Sequence, residues 1–164
     1  MSKTPQNTLN EPNLFAVHHN QCDPKKCSSL KLKKFNLLKI VPKINLVPRR
    51  AIILDPYSEK LLTAVDRELI LNHGLVVIDC SWNKADFVFN TKFSTGRKLP
   101  DLLAANSVNY GKWSKLCSAE ALAASLIITG FVEKAEEILS KFVWGNTFIE
   151  INRNFFDDYI EKIN

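Results

Sequence analysis

The chain has 164 residues, 46% of them hydrophobic and 24% charged, which is one domain's worth of sequence with enough apolar material for a core, so a long multidomain architecture and a disordered tail are both excluded. The net charge of +5 is local, because residues 1–50 carry ten Lys and Arg against two Asp and Glu while the remainder carries twelve against fifteen. That imbalance favours a polyanion, RNA or DNA, touching the N-terminal part, against the plainer reading of a solvated basic face.

Residues 1–13 are rich in Asn, Pro, Thr and Lys without a period and read as a flexible lead-in. The apolar run 14–17 predicts a strand opening into the polar loop 18–29, where Ser28 or Ser29 caps a short helix reaching Phe35. Further strands are expected near 38–41 and at 51–54, the latter ending at Asp55-Pro56. Thr63 with Asp66 marks a helix N-terminus, Val65, Leu69 and Ile70 supply its buried stripe, and Gly74 falls where a left-handed cap belongs. Residues 75–78 are apolar on both faces, as in a parallel strand covered by helices, so strand, helix and strand form a βαβ unit.

After Pro100 the run 102–105 reads as one last strand and 106–115 as a loop. Residues 119–129 are apolar almost all round and end at Gly130, which predicts a buried helix. Ala135, Ile138, Leu139 and Phe142 repeat at helical spacing, and Thr147 with Glu150 forms a capping box for a last helix carrying Phe148, Ile151, Phe155 and Tyr159. No apolar run is long enough to span a membrane, and four cysteines fit reduced thiols better than a disulfide framework, so a soluble, cytoplasmic protein is expected.

In an open parallel sheet, ligands bind beyond the carboxyl ends of the strands. Residues 18–28, Leu54-Asp55-Pro56 and Asp79-Cys80-Ser81-Trp82 all fall there, and the Trp and Pro faces can sandwich an aromatic ring, which points to a nucleotide-like ligand. The five glycines are dispersed, which argues against a phosphate-binding loop and a dinucleotide fingerprint. Cys22 and Cys27 beside His18 and His19 lack the second ligand pair of a structural zinc site, so no metal is expected.

Five ordered segments carry a family resemblance: Gln21-Cys22-Asp23-Pro24-Lys25-Lys26-Cys27-Ser28, Gly74-Leu75-Val76-Val77-Ile78-Asp79-Cys80-Ser81-Trp82, Ala104-Ala105-Asn106-Ser107-Val108-Asn109-Tyr110-Gly111, Thr129-Gly130-Phe131 and Lys141-Phe142-Val143-Trp144-Gly145. Together they resemble the aminocarboxypropyltransferases of small-subunit rRNA. The resemblance implies a SPOUT-like α/β fold, with an N-terminal α/β domain over 14–99, an all-helical C-terminal domain over 100–164 and a deep trefoil knot at their border. It also implies S-adenosylmethionine as donor of a 3-amino-3-carboxypropyl group to the imide nitrogen of N1-methylpseudouridine, and a monomer acting on rRNA or a pre-ribosomal particle. A SPOUT-type methyltransferase and a non-catalytic RNA-binding assembly factor are the alternatives.

Carried over by position, the resemblance implies that Ser28 and Ser118 contact the donor through hydroxyls, Ser28 having helix capping as its plainer role. Ile78, Leu99 and Ser114 match main-chain contacts, and Leu54, Pro56 and Trp82 match apolar walls. Asp79 is the general base for the imide proton, or else a structural carboxylate fixing the loop after its strand. Lys25, Lys26, Lys31, Lys33, Lys34, Arg97 and Lys98 are the RNA-backbone contacts. Ser107, Asp55 and Ser114 depart from the residues usual in the family, Pro, Ser and a bulky side chain respectively.

Overall fold

The computed structural model describes residues 11–18, 27–79 and 92–163. Lys25, Lys26 and Trp82 lie outside the described residues. Five strands, β1 (Leu14–His18), β2 (Lys39–Val41), β3 (Ile52–Leu54), β4 (Leu75–Asp79) and β5 (Gly96–Arg97), pair in the order β2-β1-β4-β3-β5. Every pairing is parallel. Among the described residues five helices accompany them: α1 (Ser28–Lys34), α2 (Arg67–His73), α3 (Ser118–Ile128), α4 (Val132–Leu139) and α5 (Gly145–Ile163).

Strand alternation sorts the core onto two faces. Leu14, Ala16, Ile52, Leu54, Leu75 and Val77 point toward the helices, while Phe15, Val17, Ala51, Ile53, Val76 and Ile78 form a smaller cluster closed by Val41, Ile44, Val47 and Phe93. Burial on both faces explains why 75–78 carries no polar alternation. The α2 crossover joins β3 to its parallel neighbour β4, as the βαβ pattern predicts. At its start Thr63 and Asp66 form a capping box over a short 3-10 turn, Ala64–Asp66. Val65 is not in the buried stripe; it is 84% exposed. At its end Gly74 has φ +103 with an extended ψ of 174, so the cap leads straight into β4.

Helix α3 is the central pillar. Leu122, Ala123, Ala124, Leu126 and Ile128 are buried, and it touches α1, α4, α5 and β4. Each of its larger apolar side chains contributes about 1.5–3 kcal/mol by leaving water. Its C-terminus closes as expected on Gly130, at φ +87, with the Phe131 N–H reaching the Leu126 carbonyl.

The fold implied by the resemblance is corrected in two respects. Among the described residues no trefoil knot is shown, and the SPOUT-like likeness that carried it goes with it; chain threading leaves no mark in hydrophobic periodicity. The segment beyond Pro100 is also not an all-helical domain. Residues 102–117 form no helix, Leu103 makes an isolated antiparallel bridge to Trp113, and α3, α4 and α5 complete the same core cluster as the sheet. The expected strand at 102–105 is reduced to that bridge, pinned by the Asn152 amide, which accepts from the Leu103 N–H and donates to its carbonyl at 2.8 Å each. The last helix starts at Gly145, so Thr147 lies inside it and does not cap it.

Candidate functional site

A groove of about 1690 Å³ opens at the carboxyl ends of β3 and β4, where open parallel sheets bind ligands. Leu54 and Pro56 leave β3 on one side, Ile78 and Asp79 end β4, and Leu99 follows β5. Opposite them stand Ser28 at the start of α1, Ser118 at the start of α3, and Ser114 in the preceding loop. Every implied donor contact among the described residues therefore lines one groove. The Ser28 hydroxyl accepts the Ala119 N–H at 3.1 Å, so it does cap a helix, but the helix is α3 and not its own. Ser114 has a positive φ of 56 and donates its hydroxyl to Asp101 at 2.9 Å.

Parallel register makes His18 of β1 and Asp79 of β4 neighbours. The Cys27 thiol donates to Asp79 Oδ2 at 3.1 Å, and His18 Nε2 is 3.8 Å from that oxygen and 3.6 Å from the sulfur. His18, Cys27 and Asp79 thus bring three groups able to ligate a metal within 4.8 Å of one another. Spacing along the chain pointed only to the first two, because the third comes from a strand far away in sequence.

Two buried polar side chains to which the sequence reading gave no role, Glu120 and Asn106, shape the groove. Glu120 is fully buried and accepts hydrogen bonds from the Ala105 N–H at 2.7 Å, the Cys117 N–H at 3.1 Å and the Asn106 amide. Asn106 in turn accepts the Val108 and Asn109 N–H groups, so this pair fastens the loop that forms one groove wall. A Glu three residues into a helix is a visible capping signal, but Cys117 is not a usual cap residue and hid it. Burial pushes the Cys117 thiol far up, with the Glu120 charge adding to it, which keeps it inert. Asp55, which the sequence placed at the strand end, is buried in the groove wall; burial raises its pKa, opposed by the Tyr57 N–H it accepts at 2.9 Å.

The cations divide. Lys31, Lys33, Lys34 and Lys98 are exposed and line the groove. Arg97 lines it too, but its side chain is buried against Asp66 at 3.1 Å and donates to the Gly96 carbonyl. It is a structural cation that ties β5 to the turn before α2, and the expected phosphate contact does not fit a guanidinium so committed.

An apolar slot at the strand ends, hydroxyls at the start of α3 and a rim of lysines define an α/β protein built to take a small ligand beside a polyanion. Residues 52–164 match the family described as ribosome biogenesis protein, C-terminal, and residues 13–43 match one described as possible Fer4-like domain in RNase L inhibitor. The chain is 44% identical over 158 residues to a 16S rRNA aminocarboxypropyltransferase of Methanosarcina acetivorans, covering 94% of this chain and 88% of the relative. A relative of the same name from Methanocaldococcus jannaschii is 42% identical, covering 90% and 87%. The solved structure of the SAM-dependent rRNA:acp-transferase Tsr3 from Vulcanisaeta distributa superposes with a TM-score of 0.87 at 38% identity, over 92% of this chain and 84% of that one. This chain belongs to the 16S rRNA aminocarboxypropyltransferase family. A four-iron cluster does not fit it: such clusters take four thiolates, and residues 13–43 hold only Cys22 and Cys27.

Proposed function

We propose that this chain transfers the 3-amino-3-carboxypropyl group of S-adenosylmethionine to small-subunit rRNA during ribosome maturation, at the imide nitrogen of N1-methylpseudouridine. It acts as a monomer in the cytoplasm, on rRNA or a pre-ribosomal particle. The observation that carries this reading is the gathering of Ser28, Leu54, Pro56, Ile78, Asp79, Leu99, Ser114 and Ser118 around one groove in a chain so similar to named transferases. No helix among the described residues is long and apolar enough to cross a membrane.

The donor suits the groove, whose apolar slot takes an adenosine and whose helix N-terminus takes a carboxylate. When bound it supplies the transferred carbon on a sulfonium, so that an N–C bond forms, a C–S bond breaks and methylthioadenosine leaves. Leu54 and Pro56 exclude water around the adenosine, and Ile78, Leu99 and Ser114 meet it through their main chains; Trp82, outside the described residues, is proposed as a further apolar contact. Ser118 and the first turn of α3, held in place by Ser28, fix the carboxylate end and so turn the correct carbon toward the RNA. Asp79 takes the imide proton, which the nitrogen must lose before it can attack. Lys25, Lys26, Lys31, Lys33, Lys34 and Lys98 meet the phosphates.

Calorimetric titration with S-adenosylmethionine tests the site. The wild-type chain binds one equivalent, and Ser118→Ala weakens binding about tenfold through the loss of a hydrogen bond to a charged group. Absence of binding by the folded wild-type chain overturns the reading.

A further inference from the structure

One rim of the groove interleaves cations with aromatic rings. Phe142 and Trp144, in the turn between α4 and α5, stack with centroids 4.6 Å apart and planes 27° apart. The Lys31 ammonium lies 5.0 Å from the Phe142 centroid, and the Lys141 ammonium lies 4.9 Å from that of Phe35, which is 49% exposed. Lys31, Lys34, Phe35, Phe142 and Trp144 line the same groove as Asp79 and Ser118. A half-exposed phenyl ring capped by a lysine does little for the core. It does leave an aromatic face beside positive charge, and unpaired nucleotides offer the matching pair, a π-face beside a phosphate.

We propose that this rim is a stacking shelf for the unpaired nucleotides that flank the modified base, with bases on Phe35 and on the Phe142–Trp144 pair and phosphates on Lys31, Lys34 and Lys141. The inference rests on the RNA substrate proposed above. It goes further by assigning contacts to the C-terminal half of the chain and by specifying the form of the RNA. A duplex keeps its base faces stacked on one another and cannot use the rings, whereas a single-stranded or bulged segment can. The rim therefore selects unpaired RNA and positions it beside the strand ends where Asp79 lies.

Rings and cations leave different signatures. Base stacking on an aromatic side chain is salt-insensitive and worth roughly 5- to 150-fold in affinity per base. Each phosphate contact on a single strand adds about 0.7 to the slope of log affinity against log salt. The test is fluorescence titration of the full chain with a short single-stranded oligoribonucleotide, and with the same strand in a duplex, across a range of salt concentrations. Phe35→Ala, Trp144→Leu and Lys141→Ala are compared with the wild type, thermal melting serving as the folding control. Phe35 is half exposed, so its variant folds and decides the question even where Trp144→Leu does not. We expect preference for the single strand, quenching of tryptophan emission on binding, at least fivefold weaker binding by Phe35→Ala at unchanged slope, and a shallower slope for Lys141→Ala. Equal affinity for duplex and single strand, or wild-type affinity in folded Phe35→Ala, overturns the shelf alone. A wild-type chain that binds neither RNA overturns the RNA reading along with it.

Discussion

Replacing Glu120 with Gln keeps the shape of the side chain and changes one atom's role from acceptor to donor. One carboxylate oxygen takes the Asn106 amide and the Cys117 N–H, and the other takes the Ala105 N–H. The better of the two Gln orientations keeps its oxygen on the side with two donors and turns its NH2 toward the Ala105 N–H. That leaves a buried N–H without a partner, at about 1–3 kcal/mol, and removes the charge assistance from the other two bonds, about another 1 kcal/mol. Relief from no longer burying a carboxylate offsets part of this. The net loss is about 2–3 kcal/mol, which in a chain of this size lowers Tm by roughly 5–10 °C. Because the fastened loop is a groove wall, S-adenosylmethionine affinity measured by calorimetry falls as well. Glu120→Ala, which deprives all three donors, is worse on both counts. A Glu120→Gln protein melting within about 2 °C of the wild type refutes the argument that this carboxylate holds the loop.

Gly74→Ala places a Cβ 2.8 Å from the Phe15 ring and 2.9 Å from the Asn13 carbonyl at a φ of +103; chemical denaturation should register a loss of about 3 kcal/mol or more, and a loss under 1 kcal/mol would mean the backbone relaxes freely. Burial raises the Asp55 pKa, so the native state favours its protonated form and the charged form costs stability once the pH exceeds the raised value. Asp55→Asn should therefore melt above the wild type at neutral pH, with the gain vanishing as the pH falls below the ordinary carboxylate value of 3.8; a gain that persists in acid contradicts this origin. Asp79→Asn should keep donor affinity while single-turnover transfer slows by about a hundredfold or more, a deficit that shrinks at high pH as the imide ionises unaided. Wild-type transfer rates from neutral to alkaline pH would remove the base role.

The elements most legible in the sequence are those whose own residues dictate them. β1, β3, β4 and α3 are continuous apolar runs between strong stops, and the strand-end rule then places Leu54, Pro56 and Ile78 at a shared edge. What was not legible depends on partners far away in the chain. β5 is two residues, Gly96–Arg97, defined only by its pairing with β3. The apolar run 102–105 looks like a strand, yet among the described residues its partners are the 111–114 backbone, the Asn152 amide and Glu120 of α3, with no strand of the sheet among them. Arg97 reads as a surface cation until Asp66 is found beside it, and Asp79 reads as a strand end until register brings His18 alongside. Threading came only from the resemblance, with no residue pattern to check it against.

The fate of two differently labelled donors tests the central claim most directly. S-adenosylmethionine labelled in its carboxyl carbon should pass the label to small-subunit rRNA carrying N1-methylpseudouridine, while donor labelled in its methyl carbon should leave the RNA unlabelled and yield labelled methylthioadenosine. Label entering the RNA from the methyl carbon, with S-adenosylhomocysteine as the other product, would contradict aminocarboxypropyl transfer.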